Sequence, residues 1–422
     1  LLVYDILAGV KKSERRKMLS KEKTAKNEPL LGTEKLLAGG LYYEYRTDDA
    51  RLVIELAKSA NEQGAKLLNY CSADNFIYDE NGKVKGVSAT DEINGKKVEI
   101  YAKTIVNACG PSVDILRKAD QSLYGKRLQL TKGVHLVFPY AKVPLQQSVY
   151  FDVPDGRMIF AIPRDGITYI GTTDTVYNQD IDHPRISQDD VTYILNAVNN
   201  MFPTLNLQKS DVQSGWAGLR PLIYEDGKSP SELSRKDEII TSESGLVSIA
   251  GGKLTGYRLM AEKIAAIAQA NSTQVVKKRS TTDKFKLSGC NFESEESMKQ
   301  AIKNIAASSK MDETQIAKWV YKYGSNTPNV IANYQTLKSK YAAEIAFLLA
   351  ELQYCIENEM VCSINDFAIR RSGMLFFNIP TLVKYQNELL QFMQEYFAWN
   401  EEKLNVEKAA LNVALEEATV FI

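Results

Sequence analysis

The stretch Gly251-Gly252-Lys253-Leu254-Thr255-Gly256-Tyr257-Arg258 decides how this chain is read. Just upstream, Gly245-Leu246-Val247-Ser248-Ile249-Ala250 is apolar and bounded by glycine, the pattern of a short, fully buried strand. Downstream, 257–270 is rich in Ala, with Leu and Lys among its other helix formers and amphipathic spacing, which predicts a helix. A strand, a glycine pair and a helix start together make a backbone nest. Free N–H groups and the positive end of the helix dipole converge there, favouring an anion or an electron-rich ring. Lys253 and Arg258 add side-chain charge at the same place.

A second cation lies about one hairpin upstream, in Trp216-Ala217-Gly218-Leu219-Arg220-Pro221-Leu222. The proline stiffens the chain beside Arg220, and the apolar neighbours suit a guanidinium that grips a carboxylate or phosphate with two nitrogens. The competing reading is a structural pair with Glu225 or Asp226, and both stay open on the residues alone. Lys253 alone is a weaker signal, because lysines at helix starts are often simply solvated. His135, in Thr131-Lys132-Gly133-Val134-His135-Leu136-Val137-Phe138, shares a strand face with Gly133 and Val137, opposite Val134, Leu136 and Phe138. It is either a hydrogen-bonded structural histidine or a group that handles a substrate proton. His183, in a Pro-containing loop, receives no role. Gly171-Thr172-Thr173-Asp174-Thr175 follows a strand and either offers backbone or hydroxyl contacts or, the preferred reading, is a turn closed by its own side-chain hydrogen bonds, and Asp48-Asp49 reads as a helix cap.

The totals exclude several classes. Lys plus Arg (52) balances Asp plus Glu (52), so no global field recruits nucleic acid. No apolar run approaches the roughly 18 residues that span a bilayer. Five scattered cysteines without a C-x-x-C pair read as reduced thiols, and two histidines are too few for a His-based metal site, so no metal is expected. At 422 residues the chain has room for two or three domains, at roughly 150 residues each.

Along the chain, residues 1–40 read as polar and helical. A helix is expected over 51–64, capped by Asp48 or Asp49, then a buried strand over 65–70. A hairpin follows through Asp79-Glu80-Asn81-Gly82, with 98–102 pairing onto it and another buried strand over 104–111. From 128 to 216 short runs separated by turn residues predict an antiparallel sheet, interrupted by a helix over 188–202. Beyond a polar linker at 281–288 almost everything reads as helix. The expected division is 1–127 for part of a cofactor domain, 128–240 for an antiparallel substrate domain, 241–284 for a return to the cofactor domain, and 285–422 for a helical domain.

Taken together, the nest at 251–258 with Ala261 resembles the C-terminal signature of FAD-dependent glycerol-3-phosphate dehydrogenases. Tyr45-Arg46-Thr47-Asp48-Asp49-Ala50-Arg51-Leu52, Val106-Asn107-Ala108-Cys109-Gly110-Pro111, Lys132-Gly133-Val134-His135, Gly171-Thr172-Thr173-Asp174, Ala217-Gly218-Leu219-Arg220-Pro221-Leu222 and Asn365-Asp366-Phe367-Ala368-Ile369-Arg370-Arg371-Ser372-Gly373 resemble the same family in the same order. The nearest form is the aerobic enzyme of low-GC Gram-positive bacteria. The resemblance implies an α/β FAD-binding domain of glutathione-reductase-like or D-amino-acid-oxidase-like fold, an antiparallel β substrate domain and a C-terminal α-helical domain.

It also implies FAD as cofactor, oxidation of sn-glycerol 3-phosphate to dihydroxyacetone phosphate, and electrons passed to a membrane quinone. Arg220 and Lys253 would hold the substrate phosphate or neighbouring oxygens, with His135 lining the same cavity. Gly251, Gly252, Lys253, Leu254 and Thr255 would face the flavin ring, and Asn107, Ala108 and Gly110 would pass under the ribityl and phosphate region. Ala73 would meet adenine through its backbone. The implied setting is cytoplasmic, or peripheral at the inner face of the cell membrane, with a homodimer left open.

Two departures shape the expectation. No G-x-G-x-x-G occurs in the chain, although the family carries that fingerprint where backbone approaches the FAD pyrophosphate. On the resemblance a sizeable segment would precede Leu1, and the 422-residue chain would be a colourless, inactive fragment, the alternative role being a non-catalytic scaffold. The connection 224–242 is short, whereas related glycerophosphate oxidases, which form hydrogen peroxide, carry a long insertion there. That favours a quinone acceptor over oxygen.

Overall fold

The computed structural model describes residues 11, 12, 14–224, 236–272 and 280–422. The first elements among the described residues are the strand β1 (Lys17–Ser20), the helix α1 (Lys21–Asn27) and β2 (Ala38–Leu41), which pairs antiparallel with β1. The helical reading of 1–40 is therefore corrected among the described residues, where only α1 is helical. α2 (Asp49–Glu62) follows, its first turn capped by the Asp48 carboxylate accepting from Arg51 N at 3.1 Å. Then come β3 (Cys71–Tyr78), β4 (Val84–Asp91) and β5 (Lys96–Tyr101), an antiparallel three-stranded sheet in the order β3-β4-β5.

Two expected strands are not as the sequence suggested. Residues 65–70 form no strand; Leu67 and Leu68 are exposed, and the segment turns its polar groups to the helical domain. Asn69 Nδ2 donates to Met360 O (2.8 Å) and the Tyr70 hydroxyl to Asp366 Oδ2 (2.9 Å). The strand expected over 104–111 shrinks to β6 (Val106–Asn107), because Gly110 adopts a left-handed φ of 55° and Pro111 lies in a 3-10 turn leading into α3 (Val113–Ala119).

The largest antiparallel sheet is built on β7 (Leu128–Pro139). β8 (Val149–Asp152), β9 (Met158–Arg164), β10 (Ile167–Gly171) and β11 (Thr175–Val176) follow. After the capped helix α4 (Gln188–Met201), β12 (Ser214–Ile223) returns along β7 over its whole length. The sheet runs β11-β7-β10-β9-β8, with β12 on the other side of β7. Alternation sends Val134, Leu136 and Phe138 into a core with Ile194, Val198 and Phe202 from the α4 side. Gly133 and His135 are left on the opposite face.

The remaining sheet is β13 (Asp237–Thr241), β14 (Val247–Gly251) and β6, with β14 parallel to β6. β14 runs through a 3-10 turn, Leu254–Gly256, into α5 (Tyr257–Ala270), whose bounds coincide with the helix expected from sequence. Strand β13 belongs to this sheet and not to the one on β7.

The C-terminal part is helical: α6 (Glu295–Ser309), α7 (Glu313–Tyr323), α8 (Thr327–Leu337), α9 (Ala343–Asn358), a π-helical turn at Asp366–Arg371, α10 (Met374–Phe377), α11 (Ile379–Phe397) and α12 (Glu401–Thr419). Its core includes Trp319, stacked on Phe347 at 4.0 Å, with Leu349, Leu352, Phe367 and Leu389 fully buried. An ionic cluster bolts it to α2. Arg51 grips Glu359 with both guanidinium nitrogens (3.0 and 2.6 Å), the Glu359 side chain is wholly buried, and Lys58 lies 3.7 Å from the same carboxylate. Among the described residues no helix is long and apolar enough to cross a membrane.

Candidate active site

The sheet built on β7 brings His135 and Arg220 together on one face. Register places His135 of β7 between Trp216 of β12 and Gly171 of β10. A side chain at Gly171 would run into the imidazole, 2.8 Å from Cγ, so the ring lies across bare backbone on that flank. On the other flank Trp216 stacks on the imidazole, with centroids 4.7 Å apart and planes 12° from parallel. Tyr169 meets the ring edge-on at 6.2 Å.

Arg220 lies across Gly133 in the same manner. A Cβ at position 133 would overlap both terminal guanidinium nitrogens and sit 2.6 Å from Cζ, so the glycine is what lets the guanidinium cross β7. The guanidinium donates to Thr172 Oγ1 (3.0 Å) and Thr173 O (3.3 Å), and lies 3.5 Å from the Asp174 carboxylate. The segment read from sequence as a self-contained turn therefore holds the arginine in place. Glu225 and Asp226, the alternative partners considered for Arg220, lie outside the described residues. Lys132, beside Gly133, is committed elsewhere: its ammonium pairs with Asp190 (2.6 Å) and donates to Arg185 O (3.0 Å).

Burial, and next the charge of Arg220, push the His135 pKa down to about 4. The imidazole is therefore neutral at pH 7 and can accept a proton. Its Nδ1 is buried without a hydrogen-bond partner among the described residues. His183 is exposed and pairs with Glu417 at 3.1 Å.

The nest forms at the C-terminal end of β14. Gly251 and Gly252 both adopt left-handed φ, 74° and 81°. Added side chains would strike Lys236 O (2.5 Å) at Gly251 and Met260 Sδ (2.6 Å) at Gly252. Only glycine fits both the dihedrals and the space. Neither the 3-10 turn nor α5 receives a side-chain cap, while Gly256 N and Tyr257 N donate within the turn to Lys253 O (2.8 Å) and Leu254 O. Lys253, Leu254 and Thr255 are exposed, and Lys253 has no ion-pair partner among the described residues. Gly251 approaches Ile223, three residues after Arg220, so the nest adjoins the Arg220 strand.

The remaining cofactor candidates are more scattered. Asn107 is buried and its amide is occupied, donating to Val113 O (2.9 Å) and Ser248 Oγ (3.3 Å), which ties β6 to β14 and to the start of α3. Ala108 is exposed and Gly110 half-buried in the loop beyond. Ala73 sits exposed on β3, opposite Ala89 and next to a β-bulge, in a different sheet from the nest.

Residues 5–260 match the FAD dependent oxidoreductase family, and residues 280–404 match the C-terminal domain of alpha-glycerophosphate oxidase. The aerobic glycerol-3-phosphate dehydrogenase of Bacillus subtilis (strain 168) is 47% identical over 431 residues, a match that takes in 100% of this chain and 77% of that protein. This chain belongs to the FAD-dependent glycerol-3-phosphate dehydrogenase family. The crystal structure of the glycerol-3-phosphate dehydrogenase from Bacillus halodurans complexed with FAD superposes with a TM-score of 0.88 at 46% identity, covering 96% of this chain and 80% of that one. The L-alpha-glycerophosphate oxidase from Mycoplasma pneumoniae shares the fold at TM-score 0.51 and 20% identity, covering 65% of this chain and 69% of that one. The expected fold class, a D-amino-acid-oxidase-like FAD domain with an antiparallel sheet and a helical C-terminal domain, holds for this family member.

Reading the sequence missed the residues around these two side chains. Gly133 and Gly171 are cleared for Arg220 and His135, Trp216 and Tyr169 wall the imidazole, and Thr172 to Asp174 seat the guanidinium. Gly133, Trp216 and the Gly171–Asp174 segment lie in stretches that the sequence already singles out, but nothing in their order shows that they meet these two side chains.

Proposed function

We propose that the protein oxidises sn-glycerol 3-phosphate to dihydroxyacetone phosphate with FAD as its electron acceptor. The observation that carries this reading is the Arg220 guanidinium laid across Gly133, on the same sheet face as a neutral His135 and on the strand that reaches the Gly251–Gly252 nest. A phosphate monoester needs a fixed, multiply donating cation, and Arg220 supplies one that Thr172 and Thr173 hold in place. Lys253, exposed at the mouth of the nest, adds a second charge for the phosphate or a neighbouring oxygen. His135 accepts the C2 hydroxyl proton.

The pair is coupled electrically. Arg220 helps to keep His135 neutral, and a dianionic phosphate on Arg220 offsets that charge, making the imidazole a better base when substrate is bound. The nest suits the flavin ring: left-handed backbone at both glycines turns the chain at the end of β14, and the positive end of the α5 dipole favours negative charge on a reduced ring. Bound FAD supplies the acceptor for the two electrons released at C2. Asn107 shapes the neighbouring loop through backbone contacts, with Ala108 and Gly110 offering their backbone to the cofactor and Ala73 its backbone to the adenine.

Electrons then pass to a membrane quinone, a reading supported by relatives named as aerobic dehydrogenases. Contact with the membrane is peripheral. The test is dye-coupled turnover of the FAD-loaded protein with glycerol 3-phosphate, run beside an oxygen electrode. Dye reduction without oxygen uptake is expected; oxygen uptake with peroxide would assign the oxidase reaction, and no reduction of either acceptor would refute the proposal.

A further inference from the structure

His135 is held by packing and not by hydrogen bonding. Its buried Nδ1 has no polar partner among the described residues, so no donor or acceptor on that side fixes the ring's rotation. Orientation comes from a slot: the bare backbone of Gly171 on one flank and the Trp216 indole on the other, both at the same register position of β7. The indole is in turn wedged from outside the sheet. Phe376 and Phe377, at the end of α10, approach it at 5.5 and 5.4 Å, and Phe377 also meets Tyr169 at 6.1 Å. α10 is tied to the same strand, since Ser214 Oγ donates to Phe376 O at 2.6 Å, and the Arg164 guanidinium covers the far side of Phe377 at 4.2 Å.

We propose that Trp216 is a positioning residue that holds the His135 imidazole for the substrate, and that the helical domain fixes it through Phe376 and Phe377. The inference rests on the reading that His135 works on the substrate. It gives the helical domain a part in the chemistry although none of its residues enters the candidate site. The bland alternative is that four aromatic rings simply fill a core. Against it stands their arrangement: the outer rings contact the one indole that walls a histidine whose buried Nδ1 has no hydrogen-bond partner among the described residues. The charged or titratable groups around the imidazole are Arg220 from β12 and Tyr169 from β10, with Asp174 paired to Arg220 and Arg46, Arg164 and Asp49 acting on Tyr169; Phe376 and Phe377 of α10 bring none.

The chain has two histidines, so a His183→Ala background leaves one imidazole to follow by proton NMR. Stacked on Trp216, its ring protons should resonate upfield and titrate with a midpoint of about 4. In Trp216→Ala the upfield shift should vanish and the midpoint move towards the ordinary value of 6.5, while Trp216→Phe should keep both. Phe376→Leu with Phe377→Leu, which leaves the sheet built on β7 intact, should move the resonance in the same direction. In turnover, Trp216→Ala should lower kcat about 10–100-fold while KM for glycerol 3-phosphate changes less than about threefold, as a misplaced but chemically intact group does. An unmoved resonance and midpoint in Trp216→Ala or in the double phenylalanine variant would overturn the proposal. If Trp216→Ala does not fold, the double variant decides. Absence of turnover in the unaltered protein would instead fall on the assigned reaction, because the NMR measurement uses no substrate.

Discussion

Replacing Gly133 by alanine isolates the role of Arg220. The added methyl carbon would overlap both terminal nitrogens of the guanidinium and stand 2.6 Å from Cζ. Carbon in ordinary contact needs about 3.5–4.0 Å, so the guanidinium must retreat by about 1 Å. That retreat breaks its hydrogen bonds to Thr172 Oγ1 and Thr173 O. A displacement of this size in a substrate-positioning group costs on the order of 100-fold in rate, equivalent to about 2.7 kcal/mol. The fold should not suffer. Gly133 has no positive φ, and alanine in a strand interior is favoured over glycine by roughly 0.5–1 kcal/mol. The assay is kcat/KM for glycerol 3-phosphate with a dye acceptor, alongside a thermal melt. The expected pair of results is a loss of about 100-fold with an unchanged or raised Tm. If kcat/KM stays within about twofold of the unaltered protein, Arg220 does not depend on the crossing and the reasoning fails.

Three further outcomes follow from the same geometry. The folded pKa of His135, about 4, lies below its ordinary 6.5, so the unfolded chain binds more protons between those values and stability should fall as pH drops from 6.5 to 4; His135→Asn should flatten that part of a stability–pH curve, and added inorganic phosphate should raise the NMR midpoint of His135 by offsetting Arg220. Gly252→Ala, at φ 81° and against Met260 Sδ, should weaken FAD binding about tenfold by fluorescence titration, since left-handed backbone costs an alanine about 1–2 kcal/mol. Glu359→Ala removes one of two buried carboxylates and leaves Arg51 and Lys58 on Glu55 alone (3.3 and 3.0 Å), so it should destabilise the α2–helical domain junction by less than the roughly 3–5 kcal/mol of a fully orphaned buried charge, read as a lower urea midpoint; an unchanged midpoint would mean that water reaches the cluster.

How far the sequence could be read depended on whether local pattern or distant neighbours set each element. The helix at 257–270 and the strands on either side of Gly82 were legible because amphipathic spacing and turn residues act locally. Alternation along β7 puts His135 and Gly133 on one face from the residue order alone, since the period of a strand is fixed by its pleat. Residues 65–70 were misread because an apolar pair looks like a buried strand, yet Leu67 and Leu68 stay exposed while Asn69 and Tyr70 bond a domain some 290 residues away. No local signal carries that contact. The same limit hid the slot around His135: Trp216, Gly171 and Phe377 meet only through strand register and domain packing. Arg220 and Lys253 stood out as charges, whereas the turn at Thr172–Asp174 that holds Arg220 looked self-sufficient.

The proposed function joins Arg220, His135 and the nest in one site for a phosphorylated alcohol and a flavin. Anaerobic mixing of the FAD-loaded protein with sn-glycerol 3-phosphate, and separately with glycerol, separates that site from any other arrangement. Glycerol 3-phosphate should bleach the flavin band rapidly and glycerol hardly at all, with the difference removed in Arg220→Ala. An unbleached flavin, or equal bleaching by the two alcohols, would contradict it.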